Sequence, residues 1–286
     1  MKRILFQIDT DPLPSTFDRV VAVDAGVDEL FSYGGVNADN VESLVHGGMF
    51  TRKPSDLKNT AVFIGGSNVA AGEALLARVR KAFFGPVRLS VMMDSNGSNT
   101  TAAATVIAIS RHLALPTVSA LILGGTGPVG LRAAQILLGQ GATVRLASRT
   151  LEKAQAACAM LGDHVDTTRL TPCESQTVDG LTAACEGVNV IVGAGAAGAE
   201  LISAERWAAI PTLKVVADLN AVPPAGIGSV DMLDKAVERN GVICYGAIGV
   251  GGTKMKIHTA AVQQLFLSND KVLDTAAIFE IARAIG

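Results

Sequence analysis

Leu121-Ile122-Leu123-Gly124-Gly125-Thr126-Gly127-Pro128-Val129-Gly130 is an apolar strand running into a glycine-rich turn, with G-x-G-x-x-G spacing at Gly125, Gly127 and Gly130. Such a turn lets backbone approach a pyrophosphate closely, and the helix that follows offers free N–H groups and a favourable dipole. Pro128 suits the first helical turn, where its missing N–H costs nothing. A glycine pattern alone is weak, because strand–helix turns of this composition also serve packing. Context strengthens it. The next strand, Thr143–Ser148, ends where an NAD site carries an acidic residue on the ribose hydroxyls, and this chain instead reads Ser148-Arg149-Thr150 with Lys153 one turn later. A carboxylate there would repel a ribose phosphate, whereas a guanidinium, hydroxyls and an ammonium bind it through charge-assisted hydrogen bonds. Cations at a helix start oppose the macrodipole and invite an anionic partner. The expected cofactor is NADP, held by Gly125, Thr126, Gly127, Pro128, Val129, Gly130, Ser148, Arg149, Thr150 and Lys153.

Two further strand ends belong to the same reading. Ile191-Val192-Gly193-Ala194-Gly195 finishes in small residues that would let a nicotinamide or its ribose lie close to the backbone, so Gly193 and Ala194 join the cofactor set. Helix packing explains the same small residues. Asp218-Leu219-Asn220 is a strand end before Pro223-Pro224, and Asn220 is placed to face a ligand.

Outward from this unit, short Val/Ile/Leu-rich runs alternate with Ala-rich segments of helical period, the pattern of parallel strands covered by helices. The strands expected are Lys2–Asp9, Thr60–Gly65, Val87–Asp94, Ser119–Gly124, Thr143–Ser148, Val188–Gly193, Lys214–Asn220 and Val242–Gly246. Asn68–Phe84 reads as a packing helix with Val69, Leu75, Leu76 and Val79 on one stripe. Gly249-Val250-Gly251-Gly252 reads as a turn, and Leu273–Ala284 as a last helix. The fold class is therefore α/β, a Rossmann-type NADP-binding domain at 116–247 and a second α/β domain at 1–115 with 248–286, with a cleft between them.

Composition agrees. Of 286 residues, 49% are hydrophobic and 17% charged, which disfavours disorder and coiled coil. A formal net charge of −2 without a basic stripe argues against nucleic acid. The longest uncharged candidate, Leu113 to Gly130, is interrupted by Pro116, Gly124, Gly125, Gly127 and Pro128, so no membrane span and no membrane partner is expected. The N-terminal stretch is too short and too soon acidic for a secretory leader. Cys158, Cys173, Cys185 and Cys244 lack metal or disulfide spacing, so no metal is expected and a reducing cytoplasm is. His46, His112, His164 and His258 read as surface or satisfied histidines.

Phe6-Gln7-Ile8-Asp9-Thr10-Asp11, Asp94-Ser95-Asn96-Gly97-Ser98-Asn99-Thr100-Thr101, the cofactor turn and Gly246–Lys256 together resemble the bacterial NADP-dependent methylenetetrahydromethanopterin and methylenetetrahydrofolate dehydrogenase family, across essentially the whole chain. The resemblance implies oxidation of a pterin-borne methylene group to the methenyl form, in formaldehyde oxidation or one-carbon metabolism, by a homo-oligomer, often a trimer or hexamer. It also implies a catalytic role for Lys256, with Asp18 and Lys254 as companions, and pterin binding by Asp94, Asn96, Ser98, Asn99 and Thr101. A capped helix start would explain part of the 94–101 block by itself. Hydride loss from a carbon between two nitrogens leaves a cation those nitrogens stabilise, so no general base is needed, and the absence of hydrolase or kinase motifs is expected. The alternatives are another two-domain NADP dehydrogenase, shikimate-type or folate-only, and a non-catalytic NADP-binding redox sensor. Folate dehydrogenases that are also cyclohydrolases carry Tyr and Lys four residues apart; here Tyr33 is followed by Asn37, so no cyclohydrolase activity is expected.

Overall fold

The computed structural model describes residues 1–162 and 165–286, so His164 lies outside the described residues. The chain forms two compact units, Met1–Thr100 with Met255–Ile285, and Thr101–Lys254.

The first unit opens with β1 (Ile4–Asp9), α1 (Thr16–Asp24), β2 (Glu29–Tyr33), α2 (Val41–Met49), β3 (Thr60–Gly65), α3 (Val69–Lys81) and β4 (Ser90–Met93). A 3-10 turn at Ser95–Gly97 then leads into α4 (Ser98–Ser110), within which the chain passes to the second unit. That unit contains β5 (Ser119–Leu123), α5 (Pro128–Gly139), β6 (Thr143–Ser148), α6 (Leu151–Leu161), β7 (Leu170–Glu174) and α7 (Val178–Cys185). It continues with β8 (Val190–Gly193), α8 (Ala204–Ala208), β9 (Val215–Asp218), β10 (Lys235–Arg239) and β11 (Val242–Tyr245). Within α9 (Ala247–Gln264) the chain returns to the first unit, which β12 (Val272–Leu273) and α10 (Thr275–Ile285) complete.

The first sheet runs β12-β4-β3-β1-β2 with every pairing parallel. Its strand order reverses between β1 and β3, and that reversal is where open α/β sheets bind ligands, outside the carboxyl ends of the strands. β3 and β4 are buried throughout, and Phe6, Ile8, Val62, Ile64, Val91 and Met93 pack with Leu75 and Val79 of α3 in one core. Asn68 caps α3 by accepting from the Ala71 N–H, and Leu75 and Val79 bury the expected stripe, with Val69 and Leu76 packed at its margin.

The second sheet runs β10-β11-β9-β8-β5-β6-β7, and only β10, antiparallel to β11, breaks the parallel arrangement. From β7 to β11 this is the doubly wound dinucleotide-binding order, reversing between β5 and β8. Leu121, Leu123, Ile191 and Val216 pack with Trp207 in its core, and the Trp207 indole N–H donates to the Gly228 carbonyl at 2.8 Å.

All eight expected strands form, six of them one to four residues shorter than expected, β4 the most. The Gly249–Gly252 segment corrects the reading as a turn, since it lies inside α9. A Cβ at Gly246 or Gly249 would fall within about 2 Å of the Asp231 or Asp234 carbonyl, so these glycines serve close helix packing rather than a bend. α4 stops at Ser110, and Pro116 sits beyond it in a separate 3-10 turn, Leu115–Thr117. The last helix begins at Thr275, because Val272-Leu273 pairs with β4 as an edge strand.

Candidate active site

The turn from β5 to α5 is built for an anion. Gly124 adopts φ +64°, and a Cβ there would lie 2.3 Å from the Gly195 Cα, so the turn after β5 and the loop after β8 touch through backbone. A Cβ at Gly130 would lie 2.7 Å from the Gly125 Cα, so helix and turn also meet without side chains. Gly127 is the N-cap of α5 and provides no side-chain cap; Pro128 follows at the first helical position. The first-turn amides of a helix have no intrahelical acceptor, and here Val129 and Gly130 present theirs at a positive dipole end. An Ala side chain at Gly127 would meet nothing closer than 3.6 Å, so space remains beside these amides. The residues present fit a dinucleotide pyrophosphate.

At the end of β6, Ser148 is buried, and its carbonyl accepts from the Ser175 N–H and hydroxyl. Thr150 caps α6 by accepting from the Lys153 N–H at 3.5 Å. Arg149 and Lys153 are exposed and form no ion pair among the described residues. Two cations without ion-pair partners at the end of β6 fit a ribose phosphate. Glu174, the register partner of Ser148, was not singled out from sequence. Its carboxylate turns away into the loop before α7, accepting from the Gln176 N–H and from the N–H and hydroxyl of Thr177, the residue that caps the helix, and these bonds hold its pKa below the ordinary value.

Further along the same edge, Gly193 is buried at the end of β8 and Ala194 is half-buried. The Asn220 amide is spent within its own loop, donating to the Pro224 carbonyl at 2.9 Å and accepting from the Val222 N–H at 2.9 Å. Asp218 beside it is buried and accepts from the Asn220 and Ile227 N–H groups, both at 3.1 Å. Burial pushes its carboxyl up, against the pull of those N–H donors.

The first unit gathers a second polar edge at its own reversal. Asp9 ends β1, buried, and accepts from the Asp11 and Ser15 N–H groups at 2.9 and 3.1 Å. Asp18, half-buried in the first turn of α1, brings a carboxylate oxygen to 4.0 Å from His258 Nε2. His258 is fully buried and stacks on Phe63, ring centroids 5.5 Å apart at 17°. It is not a surface histidine. Lys254 lies one turn before His258 on the same face of α9, whereas Lys256 lies two residues away on another face and is exposed.

The 94–101 block is mostly turned inward. Asp94 accepts from the Asn99 and Thr100 N–H groups at 2.9 and 3.0 Å and from the Thr100 hydroxyl at 2.6 Å, which caps α4. Asn99 donates to the Met93 carbonyl and accepts from the Thr275 hydroxyl, and Ser98 donates to the Ser95 carbonyl. Thr101 is half-buried. Asn96, exposed at φ +55°, is the member of the block that presents its side chain outward. Among the described residues no three metal-ligating side chains cluster, and no helix is long and apolar enough to cross a membrane.

Comparison with known proteins places this geometry. A family model for the N-terminal part of methylene-tetrahydromethanopterin dehydrogenase matches residues 16–96. The bifunctional protein MdtA of Methylorubrum extorquens is 43% identical over 99% of this chain and 98% of its own length. The NAD(P)-dependent methylenetetrahydromethanopterin dehydrogenase of the same organism is 31% identical over 94% of this chain and 93% of its own. Among solved structures, shikimate 5-dehydrogenase from Listeria monocytogenes superposes with a TM-score of 0.54 at 13% identity, covering 98% of this chain and 96% of that one, which speaks to the fold. With a relative 31% identical along nearly its whole length and a dinucleotide edge of the matching type, this chain belongs to the methylenetetrahydromethanopterin dehydrogenase family.

Proposed function

We propose that the chain oxidises the methylene group carried on tetrahydromethanopterin, or on tetrahydrofolate, to the methenyl form with NADP as hydride acceptor, in formaldehyde oxidation or one-carbon metabolism. The observation that carries this reading is the pairing of full-length likeness to a methylenetetrahydromethanopterin dehydrogenase with a Gly125–Gly130 turn whose helix is left uncapped and with Arg149 and Lys153 at the end of β6. NADP, when bound, supplies the nicotinamide carbon that takes the hydride. The chain's own work is positional: the α5 amides hold the pyrophosphate, Arg149, Lys153 and Ser148 hold the ribose phosphate, and the Gly193-Ala194 backbone admits the nicotinamide end. Because the methenyl cation is stabilised by its own nitrogens, alignment and field supply the rate rather than a base.

Pterin recognition is assigned to the first unit, with Asn96 as the outward-facing member of Asp94, Asn96, Ser98, Asn99 and Thr101, the others shaping the turn that displays it. The catalytic set is Lys256 with Asp18 and Lys254; the 4.0 Å approach of Asp18 to buried His258 supports a fixed carboxylate there. The domain assignment is 1–115 with 248–286 for substrate and oligomerisation, and 116–247 for NADP. A homo-oligomeric state, trimer or hexamer, is supported by edge strand β2, where Phe31 and Tyr33 are 42% and 36% exposed beside a groove of about 450 Å³. The location is the cytoplasm.

Initial rates of NADPH formation from methylenetetrahydromethanopterin and from methylenetetrahydrofolate test the reading. Turnover on either carrier is expected; none on both, with NADP still bound, would leave the sensor or another dehydrogenase.

A further inference from the structure

The geometry points to Asp218 as a positioning residue for the nicotinamide half of the cofactor, acting through the two loops that follow β8 and β9. The inference rests on NADP occupying the β5 edge and goes further, because it says which group sets the shape of the far end of that site.

Asp218 ends β9 opposite Gly193, its register partner at the end of β8. One carboxylate oxygen accepts from the Asn220 N–H, which starts the loop after β9, and the other accepts from the Ile227 N–H, which finishes it. The span between is braced from within by the Asn220 amide, which reaches Pro224 and Val222. Ile227 in turn pairs in a parallel bridge with Ile202 of the loop after β8, with Leu201 N–H to Gly226 C=O at 2.7 Å and Gly228 N–H to Ile202 C=O at 2.9 Å. One buried carboxylate therefore fixes both loops, one directly and the other through that bridge.

Packing around the carboxylate leaves no slack. A Cβ at Gly193 would lie 3.1 Å from Asp218 Oδ1 and one at Gly226 would lie 2.8 Å from it. Gly195, in the first of these loops, is the residue whose Cα approaches Gly124, so the chain of contacts runs from the pyrophosphate turn to the carboxylate. The adenosine half of the site, around Ser148, Arg149 and Lys153, belongs to β6 and α6 and is not tied to Asp218 by any of these bonds. Loss of the carboxylate should therefore loosen one half of the cofactor site and spare the other.

The test compares two ligands on the intact enzyme, NADP and adenosine 2′,5′-bisphosphate, the second of which fills only the adenosine half. In Asp218→Asn, which keeps the size and one accepting oxygen but turns an NH2 donor toward the other loop N–H, NADP is expected to bind roughly tenfold more weakly, as for one lost loop-anchoring hydrogen bond to a charged acceptor. Binding of the bisphosphate should stay within about twofold, and exchange of the Ile227 amide should accelerate. In the dehydrogenase assay KM for NADP should rise more than KM for the pterin. If Asp218→Asn does not fold, Asn220→Ala, which cuts the internal brace without touching the buried carboxylate, is read by the same criteria. Equal weakening of both ligands would show a general structural role, and no weakening of either would show no role; each overturns the inference. Wild-type protein that binds neither ligand would instead refute the NADP reading itself.

Discussion

The turn after β4 and the turn after β5 are both glycine-bearing passages from a parallel strand into a helix, and they treat the helix start in opposite ways. After β4, Asp94 folds back and takes two first-turn N–H groups and a hydroxyl of α4, so the protein closes its own helix. After β5, Gly127 leaves the start of α5 without a side-chain cap and Pro128 removes one N–H that would otherwise need a partner. A helix start already satisfied by the chain has little to offer an anion, and one left open can take an anion in place of water. On the proposed reading, what the first turn offers a ligand is its displayed side chain, Asn96, while the second offers its backbone.

Gly130→Ala should break the open turn most severely. The new methyl would meet the Gly125 backbone at 2.7 Å, which cannot swing aside as a side chain can, so NADP affinity should fall by about 100-fold or more, on the order of 3 kcal/mol. Titration calorimetry reads the loss. Asp94→Ala should break the closed turn instead, costing roughly 2–4 kcal/mol of stability through a lost cap and stranded buried N–H groups. Thermal unfolding should show it while NADP affinity stays close to wild type. Arg149→Ala sharpens the same contrast, since it should cut the preference for NADP over NAD by about tenfold or more while leaving NAD affinity unchanged.

Glu174 offers a pH-dependent case of the chain holding its own helix start, since its carboxylate fixes Thr177, the residue that caps α7. Its folded pKa lies below the ordinary value because the Thr177 hydroxyl and N–H groups bond the charged form, so its contribution is present above the unfolded carboxylate pKa and is lost as pH falls through the folded value. The stability gap between wild type and Glu174→Gln should therefore close on acidification, as unfolding curves at stepped pH would show. The smallest effect belongs to the thiols. Burial raises the pKa of all four cysteines, that of Cys158 to about 11, so iodoacetamide near neutral pH should label them slowly in the native state and leave activity intact.

The strands legible in the sequence are the interior ones. β1, β3 and β4 in one sheet, and β5, β6, β8, β9 and β11 in the other, are flanked on both sides and carry the continuous apolar runs of buried parallel strands. β2, β7, β10 and β12 escaped the pattern, and each is an edge strand. β7 contains Pro172, β10 is almost wholly exposed, and β12 is two residues long, so none had to be apolar. The cofactor turn was legible because its requirement is for missing side chains at fixed spacing. Asp218 and Asp9 were not, since a buried carboxylate that organises a loop differs from a surface one only in what folds over it. His258 hid for the same reason: only α9 brings it against Phe63 and Asp18.

Amide hydrogen exchange with and without NADP compares the two turns in one experiment. The account predicts that NADP slows exchange at Val129 and Gly130 in the first turn of α5 and leaves Asn99 and Thr100, already bonded to Asp94, as they were. No slowing at Val129 and Gly130, or NADP-dependent slowing confined to the start of α4, would contradict it.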